Sequence, residues 1–157
     1  MEIARLELAD MDATALVHRA ALNDALPWLA KFHTPQEDRT YFRNRLFQAC
    51  EIWGAIDGNA LLGFIAFRED WIDQLYVLPG AQRKGIGTAL LEIAKAAFPR
   101  LHAWTFQRNS RARNFYERRG FIPIKWTDGE NDEKEPDVLY LWEAGSGGTS
   151  ENLNRDC

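Results

Sequence analysis

The chain has 157 residues, of which 46% are hydrophobic and 27% charged, and its formal net charge is −4. This length and balance are typical of one globular domain with a substantial core, and the acidic charge argues against general nucleic-acid binding. Cys50 and Cys157 provide neither a disulfide framework nor metal-ligand spacing. Because no long apolar run opens the sequence, we expect a cytoplasmic protein without a signal peptide or membrane-spanning helix.

The first part of the chain predicts one strand and two helices. Residues Glu2 to Leu8 alternate imperfectly between apolar and polar side chains, which predicts a strand. Apolar residues then recur at three- and four-residue spacing from Asp10 until Pro27, which predicts a helix. A second helix is predicted at Thr34-Pro35-Gln36-Glu37, because threonine suits the N-cap, proline the first helical position and glutamate the third.

A β-hairpin is predicted next. Glu51 to Ile56 and Ala60 to Phe67 have strand composition, and Asp57-Gly58-Asn59 between them is a turn sequence with a residue suited to positive φ. Glu69-Asp70 predicts a second turn, which leads into a fourth strand from Trp71 to Val77. These segments therefore pair antiparallel.

Helices and strands alternate through the remainder of the chain. The predicted helices are Thr88 to Phe98 and Ser110 to Arg119, and the predicted strands are Leu101 to Phe106, Phe121 to Trp126 and Val138 to Trp142. Strand–helix–strand spacing requires parallel crossovers, so together with the hairpin it predicts a three-layer α/β fold with a mixed sheet. Residues 144–157 lack an apolar period and predict a disordered tail, which leaves residues 1–143 as a single domain.

The segment Gln82-Arg83-Lys84-Gly85-Ile86-Gly87 joins the fourth predicted strand to the helix that follows. Its glycines remove Cβ atoms where a ligand would approach the backbone, and the helix start offers unpaired N–H groups and a positive dipole end to an anion. Arg83 and Lys84 add positive charge there. The segment predicts a phosphate-binding loop, and the alternative is an ordinary glycine turn at a strand–helix junction.

A second segment, Asn109 to Phe121, adds to this motif. Its residues fit the pattern Asn-x-x-Ala-x-x-Phe-Tyr-Glu-x-x-Gly-Phe, and Gln82, Gly85 and Gly87 fit the pattern Gln/Arg-x-x-Gly-x-Gly/Ala. Together the two segments resemble the GNAT superfamily of acyl-CoA-dependent N-acetyltransferases. The resemblance implies a three-layer α/β/α GNAT-like fold with a mixed, mostly antiparallel seven-stranded sheet and about four helices.

The resemblance also implies a binding site for acetyl-CoA as co-substrate. The residues that match it are Leu75, Tyr76, Val77, Gln82, Arg83, Lys84, Gly85, Ile86, Gly87, Thr88 and Asn109. In this family the end of the fourth strand pairs with the pantetheine arm and faces the acetyl carbonyl, while the glycine loop binds the pyrophosphate. For Asn109, a helix N-cap is an alternative role that is compatible with the first.

Two residues match catalytic roles in the family. Tyr116 corresponds to the tyrosine that protonates the departing CoA thiolate, and the alternative is a core aromatic residue. Asp73 is predicted to accept the proton of the acceptor amine, directly or through water, because family members often have an acid near that position. The alternative for Asp73 is a strand-end polar residue that caps a turn or pairs with an arginine.

The acceptor site is the part that the sequence defines least. Trp28, Phe32 and His33 lie between the first two predicted helices, a region that usually lines the acceptor pocket in this family, and ordinary packing beneath a loop is the alternative. The acidic residues from Asp128 to Asp137 either attract a cationic amine or form a solvated loop.

These features predict an N-acetyltransferase that moves an acetyl group from acetyl-CoA to a primary amine by direct attack in a ternary complex. The expected acceptor is a small or cationic amine, or a peptide or protein amine. One alternative is a non-catalytic acyl-CoA-binding module. A nucleotide-dependent phosphotransferase is less favoured, because Lys84-Gly85-Ile86-Gly87 lacks the Gly-Lys-Ser/Thr ending of such loops. No metal, nucleic-acid or membrane partner is expected, and a homodimer is left open.

Overall fold

The computed structural model describes residues 1–145, which group into two compact units. The first unit is Met1–Ala94 and the second begins at Lys95. All but the first two residues of the predicted tail, 144–157, lie outside the described residues. The single domain 1–143 therefore stays a prediction.

Four strands form the sheet of the first unit: β1 (Glu2–Arg5), β2 (Glu51–Asp57), β3 (Ala60–Arg68) and β4 (Trp71–Val77). They lie side by side in this order, and each pair is antiparallel. The hairpin prediction is confirmed, because β2 and β3 are joined by a tight turn in which Gly58 has φ +62°. The turn at Glu69-Asp70 is confirmed as well, with Glu69 at φ +50°.

The predicted first strand, Glu2 to Leu8, is too long. It ends at Arg5, because a 3₁₀ turn follows at Leu8–Asp10 and the Asp10 carboxylate accepts a hydrogen bond from the Glu7 amide at 2.7 Å. Leu6 still donates its amide to the Ile52 carbonyl at 2.8 Å and is buried, so the chain stays attached to the sheet at that point.

The helices of the described chain that begin before Lys95 are α1 (Met11–Ala25), α2 (Pro35–Tyr41), α3 (Phe47–Ala49) and α4 (Ile86–Ala97). The capping box at the start of α2 is confirmed: Thr34 Oγ1 accepts from the Glu37 amide at 3.1 Å, and Glu37 Oε1 accepts from the Thr34 amide at 2.7 Å. The sequence did not predict the π-helical stretch Phe42–Leu46, which joins α2 to α3 and buries Phe42 and Leu46.

The core of the first unit lies between α1, the helical stretch from α2 to α3, and the sheet. Its buried side chains are Leu6, Met11, Ala15, Val17, Phe42, Leu46, Ile52, Phe64 and Ala66. Helix α1 packs against β3 and β4, and Tyr76 of β4 lies against the same core cluster. Burial of this apolar face fixes β4 relative to α1, which matters for the site described below.

The second unit contains β5 (Arg100–Phe106), α5 (Ser110–Glu117), β6 (Ile122–Trp126) and β7 (Asp137–Glu143). Strand β7 lies between β5 and β6 and is antiparallel to both. The crossover predicted from β5 through α5 to β6 is therefore right in direction, but the two strands are separated by β7. Within residues 1–145, no helix is long and apolar enough to cross a membrane.

Candidate active site

The chain reverses direction sharply between β4 and α4. After Val77 it forms a short 3₁₀ turn, Pro79–Ala81, and the side chain of Gln82 then donates from Nε2 to the Val77 carbonyl at 3.0 Å. Arg83 and Gly85 both adopt the left-handed region, at φ +66° and +80°. Two left-handed residues with one residue between them change the direction in which the backbone amides of this loop point, as in anion-binding turns.

Helix α4 begins at Ile86, two residues before the predicted start at Thr88, so Gly87 lies in its first turn. The Gly85 carbonyl accepts from the Ala89 amide at 3.0 Å and closes that turn. In an α-helix, only the amides from the fourth residue onward donate to a carbonyl of the same helix. The amides of the first three residues of α4 therefore have no partner within the helix and point outward from its N-terminal end. A Cβ at Gly85 would meet nothing within 4 Å, so there is open space beside the Cα atom of Gly85.

The side chains of this loop divide between solvent and core. Arg83 and Lys84 are exposed, whereas Ile86 is buried and anchors the start of α4. An exposed cationic turn at a helix start fits an anionic pyrophosphate, because both the backbone amides and the positive side chains favour negative charge. The predicted residues 82–85 therefore form the loop, and residues 86–88 form the first turn of α4.

Asp73 lies in β4 at a β-bulge opposite β3. Ala66 pairs with Gln74 and Phe67 with Ile72, so Asp73 has no directly opposite residue. Its Oδ2 accepts from Arg68 Nε at 3.1 Å and from the Cys50 thiol at 3.3 Å. The pairing with an arginine that would give Asp73 a structural role is therefore present, and its role as a base stays a prediction.

Cys50 immediately precedes β2, and its thiol donates to the Asp73 carboxylate. It is half-buried, and burial together with the neighbouring Asp73 carboxylate raises the pKa of the Cys50 thiol to about 12. The thiol stays protonated at neutral pH, and a protonated thiol is a poor nucleophile.

His18 on α1 is a residue that the sequence analysis missed. Its ring lies edge-on to Tyr76, with centroids 5.0 Å apart, and tilted against Phe42 at 5.4 Å. Burial lowers the pKa of His18 to about 4, Asp38 opposes this shift, and Arg19 and His33 add to it. His18 is therefore neutral at physiological pH. No spacing signal could have identified it, because a single histidine at a helical position is most often a packing residue.

Trp28, Phe32 and His33 lie in the connection between α1 and α2. Trp28 and Phe32 are 39% and 52% exposed, so they present apolar surface to solvent instead of packing beneath a loop. The His33 carbonyl accepts from Arg19 Nη2 at 2.6 Å, and Arg19 Nε also donates to buried Asp38 at 2.7 Å. This network fixes the connection to α1, and the binding role of the three residues stays a prediction.

In the second unit, Asn109 and Tyr116 are the predicted site residues and both belong to α5 or its cap. Asn109 Oδ1 accepts from the Ala112 amide at 3.2 Å, so the N-cap role is confirmed. Tyr116 is 6% exposed, and its ring packs against Phe115, Phe121 and Tyr140. A largely buried ring is compatible with Tyr116 as a proton donor and with Tyr116 as a core aromatic residue, because a catalytic hydroxyl needs only its oxygen to be accessible.

Tyr140 on β7 holds α5 in place. Its hydroxyl donates to Glu117 Oε2 at 2.5 Å and accepts from Arg113 Nε at 3.1 Å. Burial, reinforced by the hydrogen bond to Glu117, raises the pKa of Tyr140. Arg113 also lies over the Trp126 ring at 4.9 Å, so one arginine connects α5 to both β6 and β7.

The acidic loop between β6 and β7 is organised by its own side chains. Buried Glu135 forms a bidentate pair with Arg108 at 2.8 and 3.1 Å, and Asp137 accepts from Asn131 Nδ2 at 3.0 Å. The other acids, including Asp128, Glu130 and Asp132, are exposed or half-buried. The loop is therefore more ordered than a simple solvated loop, and three exposed carboxylates remain available for long-range electrostatics.

Comparison with known proteins gives the class of the chain. The model of the acetyltransferase (GNAT) family matches residues 19–121. The peptidyl-lysine N-acetyltransferase YiaC of Escherichia coli is 34% identical over 79 residues, which cover 48% of this chain and 54% of YiaC. A probable N-acetyltransferase of Mycobacterium tuberculosis is 37% identical over 79 residues, which cover 45% of each protein. The chain thus spans about half the length of these curated relatives.

Solved structures agree on the fold. Apo-form YjaB of Escherichia coli superposes with a TM-score of 0.76 at 20% identity, and the match covers 92% of this chain and 98% of YjaB. The PaiA N-acetyltransferase of Thermoplasma acidophilum, solved with coenzyme A, gives 0.68 at 19% identity over 90% of this chain and 98% of PaiA.

The chain belongs to the acetyltransferase (GNAT) family, because the family model matches well over half of its length. The predicted GNAT-like α/β fold, with seven strands, mostly antiparallel pairing and about four helices, is confirmed. Among residues 1–145, no three His, Cys, Asp or Glu side chains converge on a common point.

The low pKa of His18 predicts an acid-sensitive stability. The unfolded chain takes up a proton as the pH falls through about 6.5, whereas folded His18 does so only near pH 4. Stability is therefore lost as the pH falls between these values, by roughly 3 kcal/mol in total at about 1.4 kcal/mol per pH unit. Urea unfolding of the wild type and His18→Phe over this pH range measures the effect. If the difference in unfolding free energy between wild type and His18→Phe does not change with pH, the lowered pKa of His18 is wrong.

The phosphate-loop geometry predicts that Gly85→Asp abolishes measurable CoA binding in a folded protein. Aspartate tolerates the left-handed conformation better than most residues, and its carboxylate would lie where the pyrophosphate is expected. Gly80→Asp is the matched control, because a Cβ at Gly80 also meets nothing within 4 Å. Calorimetry with CoA should show loss of binding for Gly85→Asp alone. Equal affinities in both variants would remove the loop from the site.

Proposed function

We propose that the protein transfers an acetyl group from acetyl-CoA to a primary amine by direct attack in a ternary complex, in the cytoplasm. The observation that carries the proposal is the loop of Arg83 to Gly85, in which two left-handed residues, open space and an exposed helix start combine at the end of β4. PaiA, which shares the fold, was solved with coenzyme A.

Different segments of the first unit bind different parts of acetyl-CoA. The loop amides at 85–88, with Arg83 and Lys84, hold the pyrophosphate by hydrogen bonds and charge. The backbone of Leu75 to Val77 at the end of β4 orients the pantetheine arm and donates to the thioester carbonyl. Gln82 acts on the loop itself, because its bond to the Val77 carbonyl ties the strand end to the turn.

Direct transfer is favoured over a route through an acylated cysteine. Among residues 1–145 the one cysteine is Cys50, and its raised pKa keeps it as a thiol at neutral pH. Nucleophilic catalysis by cysteine needs the thiolate, so Cys50 has the wrong protonation state. The amine acceptor therefore attacks the thioester itself.

Proton transfer uses Tyr116 as the acid toward the departing thiolate, and Asp73, directly or through water, as the acceptor of the amine proton. Tyr116 is supported by its place in the family pattern on α5 and by a ring that is fixed on three sides. Asp73 is the weaker assignment, because both Arg68 and Cys50 donate to the same carboxylate oxygen.

The acceptor is a small or cationic amine, or an amine of a peptide or protein. YiaC is named for peptidyl-lysine acetylation, and its 34% identity supports a peptide amine as one member of this range. The exposed rings of Trp28 and Phe32 provide apolar contact for the part of the acceptor that carries the amine.

A thiol-release assay with acetyl-CoA and a panel of amines tests the proposal. Transfer predicts amine-dependent release of CoA and an acetylated product of matching mass. A protein that binds CoA but releases no thiol with any amine would instead be the non-catalytic acyl-CoA-binding module. A protein that fails to bind CoA would refute both functions.

Tyr116→Phe should lower turnover on the order of 10²-fold while leaving CoA affinity nearly unchanged, because only the proton-donating hydroxyl is lost. Tyr140→Phe is the matched control: it removes a buried hydroxyl next to α5 and should lower the melting temperature with little effect on turnover. Steady-state kinetics and calorimetry measure both. Turnover of Tyr116→Phe within about twofold of wild type would make Tyr116 a packing residue.

Replacing Asp128, Glu130 and Asp132 by their amides should raise the KM of a cationic acceptor several-fold and leave the KM of acetyl-CoA unchanged. Exposed charges act through long-range attraction, so the effect should disappear near 1 M salt, where the Debye length is about 3 Å. Glu135 and Asp137 stay intact because they order the loop. The control is an aromatic amine that is uncharged at the assay pH. If both acceptors respond alike, the loop does not steer the substrate.

A further inference from the structure

Two buried polar atoms of the first unit have no hydrogen-bond partner among the described residues: His18 Nδ1 and Gln74 Oε1. Both lie on the same side of β4. Gln74 and Tyr76 are two residues apart in a regular stretch, where they pair with Ala66 and Phe64, so their side chains share one face. The His18 ring lies edge-on to Tyr76 on that face, at 5.0 Å.

The two atoms offer the same chemistry to a ligand when His18 carries its proton on Nε2. An amide oxygen is only an acceptor, and a neutral imidazole that carries its proton on Nε2 is an acceptor at Nδ1. Buried polar atoms in native proteins nearly always have a partner, so a matching pair without one points to a ligand with two N–H donors. His18 and Gln74 are half-buried as residues, although the two acceptor atoms themselves are shielded from solvent.

We propose that His18 Nδ1 and Gln74 Oε1 accept hydrogen bonds from the two N–H groups of an uncharged primary amine, which is the acceptor of the acetyl transfer; this inference rests on the proposed function. Two bonds of this kind use both hydrogens of an –NH₂ group and leave its lone pair for the thioester carbonyl. The bond that forms is nitrogen to acetyl carbon, the bond that breaks is acetyl carbon to sulfur, and the amine proton leaves to solvent or base while the thiolate is protonated.

The pair selects the uncharged form of the amine. Neither acceptor carries a negative charge, so a third N–H and a positive charge would be buried without compensation. A primary amine with a low pKa, such as the α-amino group of a peptide or amino-acid amide at about 8, is thus favoured over a lysine side chain at about 10.4. A secondary amine offers only one N–H and leaves one acceptor unpaired.

Neighbouring charges affect this pair. Asp38 on α2 favours protonation of His18, whereas Arg19 on α1 and His33 before α2 oppose it, and burial outweighs all three. Tyr76 is a titratable group of β4 whose ring contacts the imidazole, with centroids 5.0 Å apart. Because the pKa of His18 is about 4, the imidazole remains an acceptor over the pH range in which an α-amino group titrates. The pH dependence of the reaction should therefore follow the amine.

The test uses His18→Phe and Gln74→Met with phenylalanine amide as the acceptor. Phenylalanine keeps the ring contacts with Phe42 and Tyr76, and methionine keeps the length of glutamine. Each variant should raise the acceptor KM about tenfold, as expected for one lost hydrogen bond, while CoA affinity stays at the wild-type value. His102→Phe, on β5, is the matched control and should leave both constants unchanged.

A second comparison isolates the hydrogen-bond count. Wild type should prefer phenylalanine amide over its N-methyl derivative, and His18→Phe should lose most of that preference because one acceptor is already missing. A merely structural role for His18 would lower both activities in parallel and keep the ratio. An unchanged ratio in a folded variant would overturn the inference.

The imidazole resonances of His18 give a readout that does not depend on turnover. Adding phenylalanine amide to the CoA-bound protein should shift the His18 Nδ1 resonance in the ¹⁵N spectrum, and the N-methyl derivative should shift it less. A shift without turnover would keep the binding site and refute the transferase function. Turnover with neither a shift nor a change in KM in the variants would refute the binding site and keep the function.

Discussion

The turn from β4 into α4 is the constraint on which the proposed donor site depends. Arg83 has a side chain and still occupies the left-handed region, which costs about 1–2 kcal/mol for an L-residue. The surrounding contacts offset this cost: Gln82 binds the Val77 carbonyl, and the burial of Ile86 fixes the start of α4. The chain thus holds this loop in one conformation beside the open space at Gly85, so little conformational entropy remains to be lost on binding.

The sequence predicted the elements whose determinants are local. The capping box at Thr34 and the turn at Gly58 each depend on a few consecutive residues, and both formed where predicted. The errors have non-local or competing causes. Strand β1 ends early because Asp10 binds the Glu7 amide and starts a turn within an apolar alternation. Strand β7 lies between β5 and β6 in the sheet. The strand–helix–strand pattern of β5, α5 and β6 predicts that β5 and β6 are parallel, but it cannot predict that a later strand lies between them.

The candidate site likewise contains residues that the sequence could indicate and residues whose environment depends on tertiary packing. The turn at residues 82–85 was predicted from sequence because a local motif defines it, although the predicted helix start was two residues late because Gly87 was assigned to the turn. Binding of the donor by this turn stays a prediction. Asp73 was predicted from its strand position alone, and sequence could not indicate that Arg68 and Cys50 would both donate to its carboxylate. His18 gave no signal, because its interest lies in a missing partner and a lowered pKa, which only tertiary packing creates.

An acidic loop and a pair of neutral acceptors make different demands on the same amine. If the exposed carboxylates of Asp128, Glu130 and Asp132 steer the acceptor as proposed, they act on the protonated form at long range, where the amine is still hydrated. Transfer into a half-buried site removes that water and favours loss of the charge, because desolvation lowers the pKa of an ammonium group.

The same reasoning bears on the need for a base. If the proton leaves on entry into the site, the amine requires no strong base beside the thioester, and a weakly basic neutral pair is sufficient to orient it. That arrangement is compatible with an Asp73 whose oxygen is engaged by Arg68 and Cys50. The selectivity of the reaction would then depend on the free energy of deprotonating each amine, which is smaller for an α-amino group than for a lysine side chain.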